Sequence, residues 1–363
     1  MKRVLLVTLY DCGNIGNRLQ NYALQKVIEN YGIEVTTLDN CYTRAISPRM
    51  RTKYFAKKVL VCLGYKKYAN ECVRYSAAKR RKKAIKKFNQ ANISIVRQTT
   101  NLDAFRIDWS DYDLAIAGSD QVWHNWRDDV NELPYYYLQF MPPEKRVAYA
   151  ASFGFEAFPQ KDIEQHRIGL QGMKSISCRE GSGCNLVESL VGKQVPRVLD
   201  PTLLLSADEW RRLQKQSNIV TANYGKYAFA FFLGNIPDEY RKYMDTIMKE
   251  KGIDKLIDFS DKKIGACGPC EFLSLVDNAQ FVFTDSFHCT VFSAIFDKDF
   301  TAFRRVQQGF DKMFGRIEDL LSSTNKLDHI YGGTRQTPKN NFNELYRDSI
   351  RYIEKILGIT NEN

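Results

Sequence analysis

Apolar positions change period twice within the first forty residues. Val4 to Leu9 is a short apolar run of the length a buried parallel strand uses, followed by the small-polar turn Asp11-Cys-Gly-Asn-Ile-Gly-Asn17. From Arg18 the apolar residues fall at helical spacing (Leu19, Ala23, Leu24, Val27, Ile28, Tyr31), Gly32 supplies a stop, and Glu34 to Leu38 resumes a strand. The pattern predicts a βαβ unit with Gly13 and Gly16 where the strand hands over to a helix N-terminus. Free backbone N–H groups and the helix dipole at such a point receive anions or sugar hydroxyls. A glycine turn made only for the bend is the plainer alternative.

Further along, four apolar runs each end in polar or glycine residues: Asp113–Gly118 before Ser119-Asp-Gln-Val-Trp123, Arg146–Ala151 before Ser152-Phe-Gly154, Ser175–Cys178 before Arg179-Glu180, and Pro196–Leu199 before Asp200-Pro201. Parallel sheets present their carboxyl edge to a ligand crevice in this way. A second series alternates strands (Tyr227–Leu233, Lys255–Phe259, Phe281–Thr284, Phe300–Phe303) with helices (Asp238–Lys251, Glu271–Asn278, His288–Phe296). The last helix, Asn343 to Leu357, carries Leu345, Ile350, Ile353 and Leu357 on one side. The predicted class is α/β: an N-terminal Rossmann-like domain over 1–205, a C-terminal one over 222–335 facing it across a cleft, and a C-terminal helix over 340–358. A chain of 363 residues exceeds one ordinary core, which agrees with two domains.

Residues 44–100 break that rhythm with helical, basic sequence, expected as an insertion in the N-terminal domain. The chain holds 53 Lys+Arg against 42 Asp+Glu, a net +11. Between Arg44 and Arg97 there are 17 Lys/Arg and one acid, Glu71, a local +16 that leaves the remainder at −5. Lys79 to Lys87 alone has seven basic residues in nine. Such a stretch suits a solvated helical face, a nucleic-acid patch or a helix attracted to anionic lipid. No nucleic-acid-binding signature accompanies it, so nucleic acid is not the expected partner.

No apolar run approaches the span of a transmembrane helix, and Met1-Lys2-Arg3 leads straight into the first strand, so a cytoplasmic location is expected. Nine scattered cysteines argue for reduced thiols. Cys267-Gly-Pro-Cys270 copies a thiol-exchange motif, but it lies late in the chain and reads as a turn before a helix. No second such pair completes a zinc site, and no metal is expected.

Three constellations could carry chemistry. Asp285-Ser-Phe-His288 sits at a strand-to-helix junction, where a histidine can move protons or donate to an anion; a histidine that only caps or packs is the alternative. Arg179 follows a strand directly, so its planar fork would stand at the sheet edge, suited to carboxylate or phosphate, unless a local acid such as Glu180 takes it. Asp120, Gln121 and Trp123 offer a carboxylate, an amide and an aromatic plate for a sugar; a helix cap with a core tryptophan is the alternative.

Seven motifs in order then resemble the polysaccharide pyruvyl transferase family: Gly13-Asn-Ile-Gly-Asn-Arg-Leu-Gln-Asn-Tyr-Ala-Leu-Gln25, Ala117-Gly-Ser-Asp-Gln-Val-Trp123, Tyr149-Ala-Ala-Ser-Phe-Gly154, Ser177-Cys-Arg-Glu180, Leu199-Asp-Pro-Thr-Leu-Leu204, Thr284-Asp-Ser-Phe-His288 and Arg316-Ile-Glu-Asp-Leu-Leu321. The resemblance covers most of the chain outside the basic segment. It implies a GT-B-like fold and transfer of a pyruvyl group from phosphoenolpyruvate to a sugar as a cyclic ketal, with no cofactor beyond that donor. Arg179 and His288 match family positions and would be catalytic. The donor side would comprise Arg179, Ser286 and His288, with Arg304, Arg305 or Arg316 replacing the arginine that some members carry where Ser286 stands here. The acceptor side would comprise Asn14, Gly16, Asn17, Asp120, Gln121 and Trp123. The expected acceptor is a sugar on a lipid-diphosphate carrier in cell-surface polysaccharide assembly, with segment 44–97 docked on the anionic inner face of the membrane. A nucleotide-sugar glycosyltransferase and a non-catalytic membrane-associated scaffold are the competing readings.

Overall fold

A computed structural model describes residues 2–9, 14–38, 48–62, 69–96, 103–126, 132–259, 267–306, 314–334 and 341–359. Gly13 and part of the basic segment, including Arg44, Lys66 and Arg97, lie outside the described residues.

The N-terminal domain runs β1 (Arg3–Val7), α1 (Ile15–Glu29), β2 (Glu34–Leu38), α2 (Pro48–Cys62), α3 (Ala69–Asn92), β3 (Ile95–Val96), β4 (Leu114–Ala117), α4 (Leu133–Tyr136), β5 (Arg146–Ala151), α5 (Ile163–Gln171), β6 (Ser175–Cys178), α6 (Gly181–Val191) and α7 (Ala207–Gln214). Its six strands are parallel in the order β3-β2-β1-β4-β5-β6. β4, and β1 from Val4 onward, are apolar and buried because helices cover both faces of a parallel sheet. The order reverses between β1 and β4, the point where doubly wound sheets bind ligands.

The C-terminal domain runs β7 (Tyr227–Phe231), α8 (Asp238–Glu250), β8 (Lys255–Asp258), α9 (Pro269–Asp277), β9 (Phe281–Thr284), α10 (Phe287–Ile295), β10 (Phe300–Ala302) and α11 (Gly315–Ser323). Its four parallel strands order as β10-β9-β7-β8, with a second reversal between β7 and β9. The last helix, α12 (Phe342–Leu357), returns to the first domain: the Tyr352 hydroxyl donates to the Ala148 carbonyl at 2.9 Å, and Ser349 Oγ accepts from Leu199 N at 2.8 Å.

Two expectations need correction. The run Pro196–Leu199 is not a strand; it makes only an isolated bridge from Arg197 to Cys178, because Asp200-Pro201 turns the chain into a short 3-10 helix over Pro201–Leu204. Nor does the basic segment interrupt the α/β rhythm. α2 and α3 are the crossover from β2 to the edge strand β3, and α3 buries Ile85, Phe88 and Asn89. Its inner face touches both domains: Phe88 lies edge-on to Tyr22 of α1 at 6.1 Å, and the Arg81 guanidinium stacks on Phe259 at 4.4 Å.

One apolar core is shared by both domains. Its keystone is Trp210, fully buried on α7, with Tyr22 at 5.7 Å on one side, Phe292 of α10 at 4.9 Å on the other, and its indole N–H donating to the Thr202 carbonyl at 3.1 Å. A capping box between Ser206 and Glu209 starts α7 at the place that puts Trp210 there. The two domains are therefore joined by packed side chains.

Candidate active site

Four charged groups meet where the two domains touch. Asp200 is 1% exposed and shares its two oxygens among five donors and partners. Oδ1 accepts from Thr202 N (3.1 Å) and Thr202 Oγ1 (2.7 Å); Oδ2 accepts from Ser119 Oγ (2.9 Å) and Arg179 Nη1 (2.8 Å) and lies 3.8 Å from His288 Nε2. Arg179, 6% exposed, also approaches Asp120 Oδ1 at 3.5 Å and Glu180 Oε2 at 3.7 Å. Asp120 is held by its neighbours: the Asn17 side-chain amide donates to Oδ2, and Gln121 N donates to Oδ1 at 2.9 Å. Its backbone has φ +76°, a left-handed conformation that aspartate tolerates better than most residues and that turns the carboxylate inward after β4.

The charges tune one another. Burial would raise the Asp200 carboxyl, but His288, Arg179 and the Thr202 hydrogen bonds overcome it and hold the group down at about 2. Burial would lower the Arg179 guanidinium, yet Asp120, Asp200 and Glu180 keep it above its ordinary value. His288 is pushed below the ordinary imidazole range, first by burial, with Asp200 and Asp120 resisting and Arg179 and Arg316 reinforcing the shift. It therefore rests as the neutral imidazole near pH 7, able to take a proton, beside a carboxylate that stabilises the imidazolium once formed.

Next to this cluster opens a cleft of about 600 Å³, lined by Gly154, Glu180, Gly181 and Ser182 on one side and Arg304 and Arg316 on the other. Gly181 and Ser182 are the first turn of α6, whose cap residue Glu180 makes no side-chain capping bond, so the first N–H groups face the cleft end of the helix. Burial and then the nearby Arg179 charge push Arg316 down to about 10. Arg179 and Arg316 both lie against Phe287, with guanidinium carbons 4.7 and 5.7 Å from its ring centroid.

The sequence-predicted donor residues separate into groups. Arg179, His288 and Arg316 converge. Arg305 bonds to Asp285 (Nε to Oδ2, 3.2 Å), and Asp285 also accepts from Leu233 N (2.7 Å) and Gly234 N (2.9 Å), which ties the β7 and β9 loops together. Arg304 lines the cleft but is engaged by Glu318 and stacked on Phe314 at 4.4 Å. Ser286 is buried and precedes α10, its N–H donating to Thr284 Oγ1 at 3.0 Å. The image of Arg179 as a free fork aimed at the cleft is corrected: three carboxylates surround it.

On the acceptor side, Gly16, Asn17 and Asp120 join the cluster. A Cβ at Gly16 would stand 2.2 Å from His288 Nδ1, so the absence of a side chain lets the two domains meet there. Asn14 is exposed and caps α1, its oxygen accepting from Asn17 N at 3.2 Å. Gln121 is buried under Gly154 with its amide nitrogen unpartnered. Trp123 is no sugar plate. It is fully buried, with ring centroids 5.1 Å from Tyr137 and 5.0 Å from Phe153, and presents no face to the cleft. Sequence reasoning missed Asp200 and Glu180 as site residues; the signal was their place immediately after apolar runs, shared with Asp120 and Arg179.

Cys267 and Cys270 are both buried at the start of α9, and their thiols are raised by burial, Cys270 to about 12 and Cys267 well above its ordinary value. Glu271 bonds back to Gly268 N at 2.9 Å, so the motif is a helix start and not a reactive dithiol. Among the described residues no three His, Cys, Asp or Glu side chains converge on a point that could hold a metal ion.

Two parallel-stranded Rossmann-like domains with a polar site between them give the molecule a GT-B-like fold. Solved structures share that fold. S. aureus MnaA with UDP aligns at TM-score 0.51 and 10% identity, over 100% of this chain and 99% of that one. A protein assigned as a UDP-N-acetylglucosamine 2-epimerase from Listeria monocytogenes aligns at TM-score 0.53 and 11% identity, over 99% and 98%. At such identities the likeness is one of fold. No curated protein matches the chain. Residues 14–305 match the polysaccharide pyruvyl transferase family, and the chain belongs to that family of transferases.

Proposed function

We propose that the protein moves the pyruvyl group of phosphoenolpyruvate onto two hydroxyls of a sugar, forming a cyclic ketal on a precursor of a cell-surface polysaccharide, the sugar being carried on a lipid diphosphate. The observation that carries this reading is the neutral, buried His288 facing Asp200 at 3.8 Å, beside a cleft whose far wall is Arg316. Family membership supplies the pyruvyl group; the site chemistry supports the donor. Phosphoenolpyruvate brings a phosphate and a carboxylate, and Arg316 and the α6 N-terminus offer a cation and N–H groups to them.

In the first step His288 takes the proton of one sugar hydroxyl and delivers it to the methylene carbon of the donor, while the freed oxygen bonds to the central carbon. Asp200 stabilises the imidazolium between the two transfers. In the second step the carbon–oxygen bond to phosphate breaks, the second hydroxyl attacks the same carbon, and its proton leaves with inorganic phosphate. The scheme calls on no metal.

Incubation with phosphoenolpyruvate and a panel of sugar acceptors should release inorganic phosphate in step with ketal, seen by phosphate assay and mass spectrometry. His288→Asn should lose at least about 100-fold in rate with its fold intact. Turnover of nucleotide sugars with none of phosphoenolpyruvate would overturn the reading in favour of a glycosyltransferase.

A further inference from the structure

The β2–β3 crossover carries charge that the site does not use. Lys79, Arg80, Lys82, Lys83, Lys86 and Lys87 of α3 are all exposed. At 100° per residue they fall within an arc of about 160°, and the buried Ile85, Phe88 and Asn89 occupy the remainder of the circumference, over about 12 Å of helix. No acid stands among residues 79–87 to neutralise that face. Beside it, a cleft of about 980 Å³ between α3 and the start of α9 has Arg80, Lys83, Lys86 and Lys87 along one wall and Glu271 at the other. On α2, Phe55 is 70% and Val59 43% exposed, and with the exposed Cys62 they recur at i, i+4 and i+7 along one face. A face kept only for solubility would mix both signs and hide its phenylalanine.

We propose that this crossover docks on an anionic lipid bilayer, α3 supplying the charge and Phe55 and Val59 of α2 an apolar wedge into the headgroup boundary. A bilayer accounts for both features together: phosphates answer the cations, and an acyl boundary answers an exposed phenylalanine. Among the described residues no helix is long and apolar enough to cross a membrane, so attachment is from the surface.

The test is sedimentation of the full chain with vesicles of phosphatidylglycerol and phosphatidylcholine. Binding should require the anionic lipid and weaken with added salt. Lys79→Glu, Lys82→Glu, Lys83→Glu and Lys86→Glu together should cut the affinity by about 100-fold or more. Phe55→Ser with Val59→Ser should retain low-salt binding and lose the part that survives high salt. Circular dichroism and thermal melting establish that both variants fold, and the readout is binding, so its failure is separable from failure of the proposed reaction. Equal binding to neutral vesicles, wild-type binding by the charge-reversed variant, or tight binding of a duplex oligonucleotide with none to vesicles would overturn the proposal.

Discussion

Replacing Asp200 with asparagine tests the electrostatic reading most directly. Asparagine keeps a carbonyl oxygen for Thr202 but turns an amide N–H₂ toward Ser119, Arg179 and His288, groups that need an acceptor. Two independent routes give the cost. A carboxyl held at about 2, against 3.8 for an ordinary one, contributes on the order of 2 kcal/mol to folding when ionised, less where the His288 imidazole that helps to hold it down is uncharged. Removing one partner of a buried charge pair costs about 3–5 kcal/mol; Asp120 and Glu180, at 3.5 and 3.7 Å from Arg179, soften that here. Asp200→Asn should therefore lose about 2–4 kcal/mol in urea unfolding at neutral pH. Because the folded carboxyl is depressed, its contribution is present above pH ~4 and is lost as pH falls through about 2, so wild type and variant should converge in acid. Catalysis supplies the second readout. Asp200 raises the His288 imidazole against burial, so its loss lowers that group further and moves the acid limb of kcat/KM to lower pH, with a lower plateau. An unmoved limb would reduce Asp200 to scaffolding. Unchanged stability would refute the charge accounting altogether.

Three further substitutions separate the remaining roles. Gly16→Ala puts a methyl 2.2 Å from His288 Nδ1, and kcat should fall by about tenfold or more in single-turnover assays while a thermal melt shows a smaller change. Arg316→Ala should raise the phosphoenolpyruvate KM by about tenfold, whereas Arg305→Ala, acting on the Asp285 junction, should lower the melting temperature and leave that KM nearly unchanged; the opposite pattern would reassign the donor cation. Cys267→Ser with Cys270→Ser should keep activity, and native thiols at both positions should resist alkylation at pH 8, since burial keeps them protonated.

Much of this architecture was legible in the chain because parallel strands covered on both faces are short apolar runs. β5, β6 and β9 have the boundaries their runs predict, and β2 does as well. Legibility failed where local sequence and tertiary position diverge. Pro196–Leu199 has strand composition but ends at Asp200-Pro201, and the proline imposes a turn. Trp123 beside Asp120 looks like a sugar plate in one dimension, yet the +76° turn at Asp120 sends the carboxylate to the site and the indole to the core. The lopsided charge of α3 hid that its other face is a packed crossover helix. That Arg305 is drawn to Asp285, and that Arg304 lines the cleft already engaged by Glu318, depended on contacts that no spacing reveals.

The meeting of Gly16, Asp200 and His288 has a mechanical meaning beyond its chemistry. Gly16 and Asp200 belong to one domain and His288 to the other, so the interaction that readies the imidazole is also a fastening between domains. The buried core around Trp210 that both domains share therefore does more than stabilise the fold: by setting one sheet against the other it also sets the 3.8 Å spacing between His288 and Asp200.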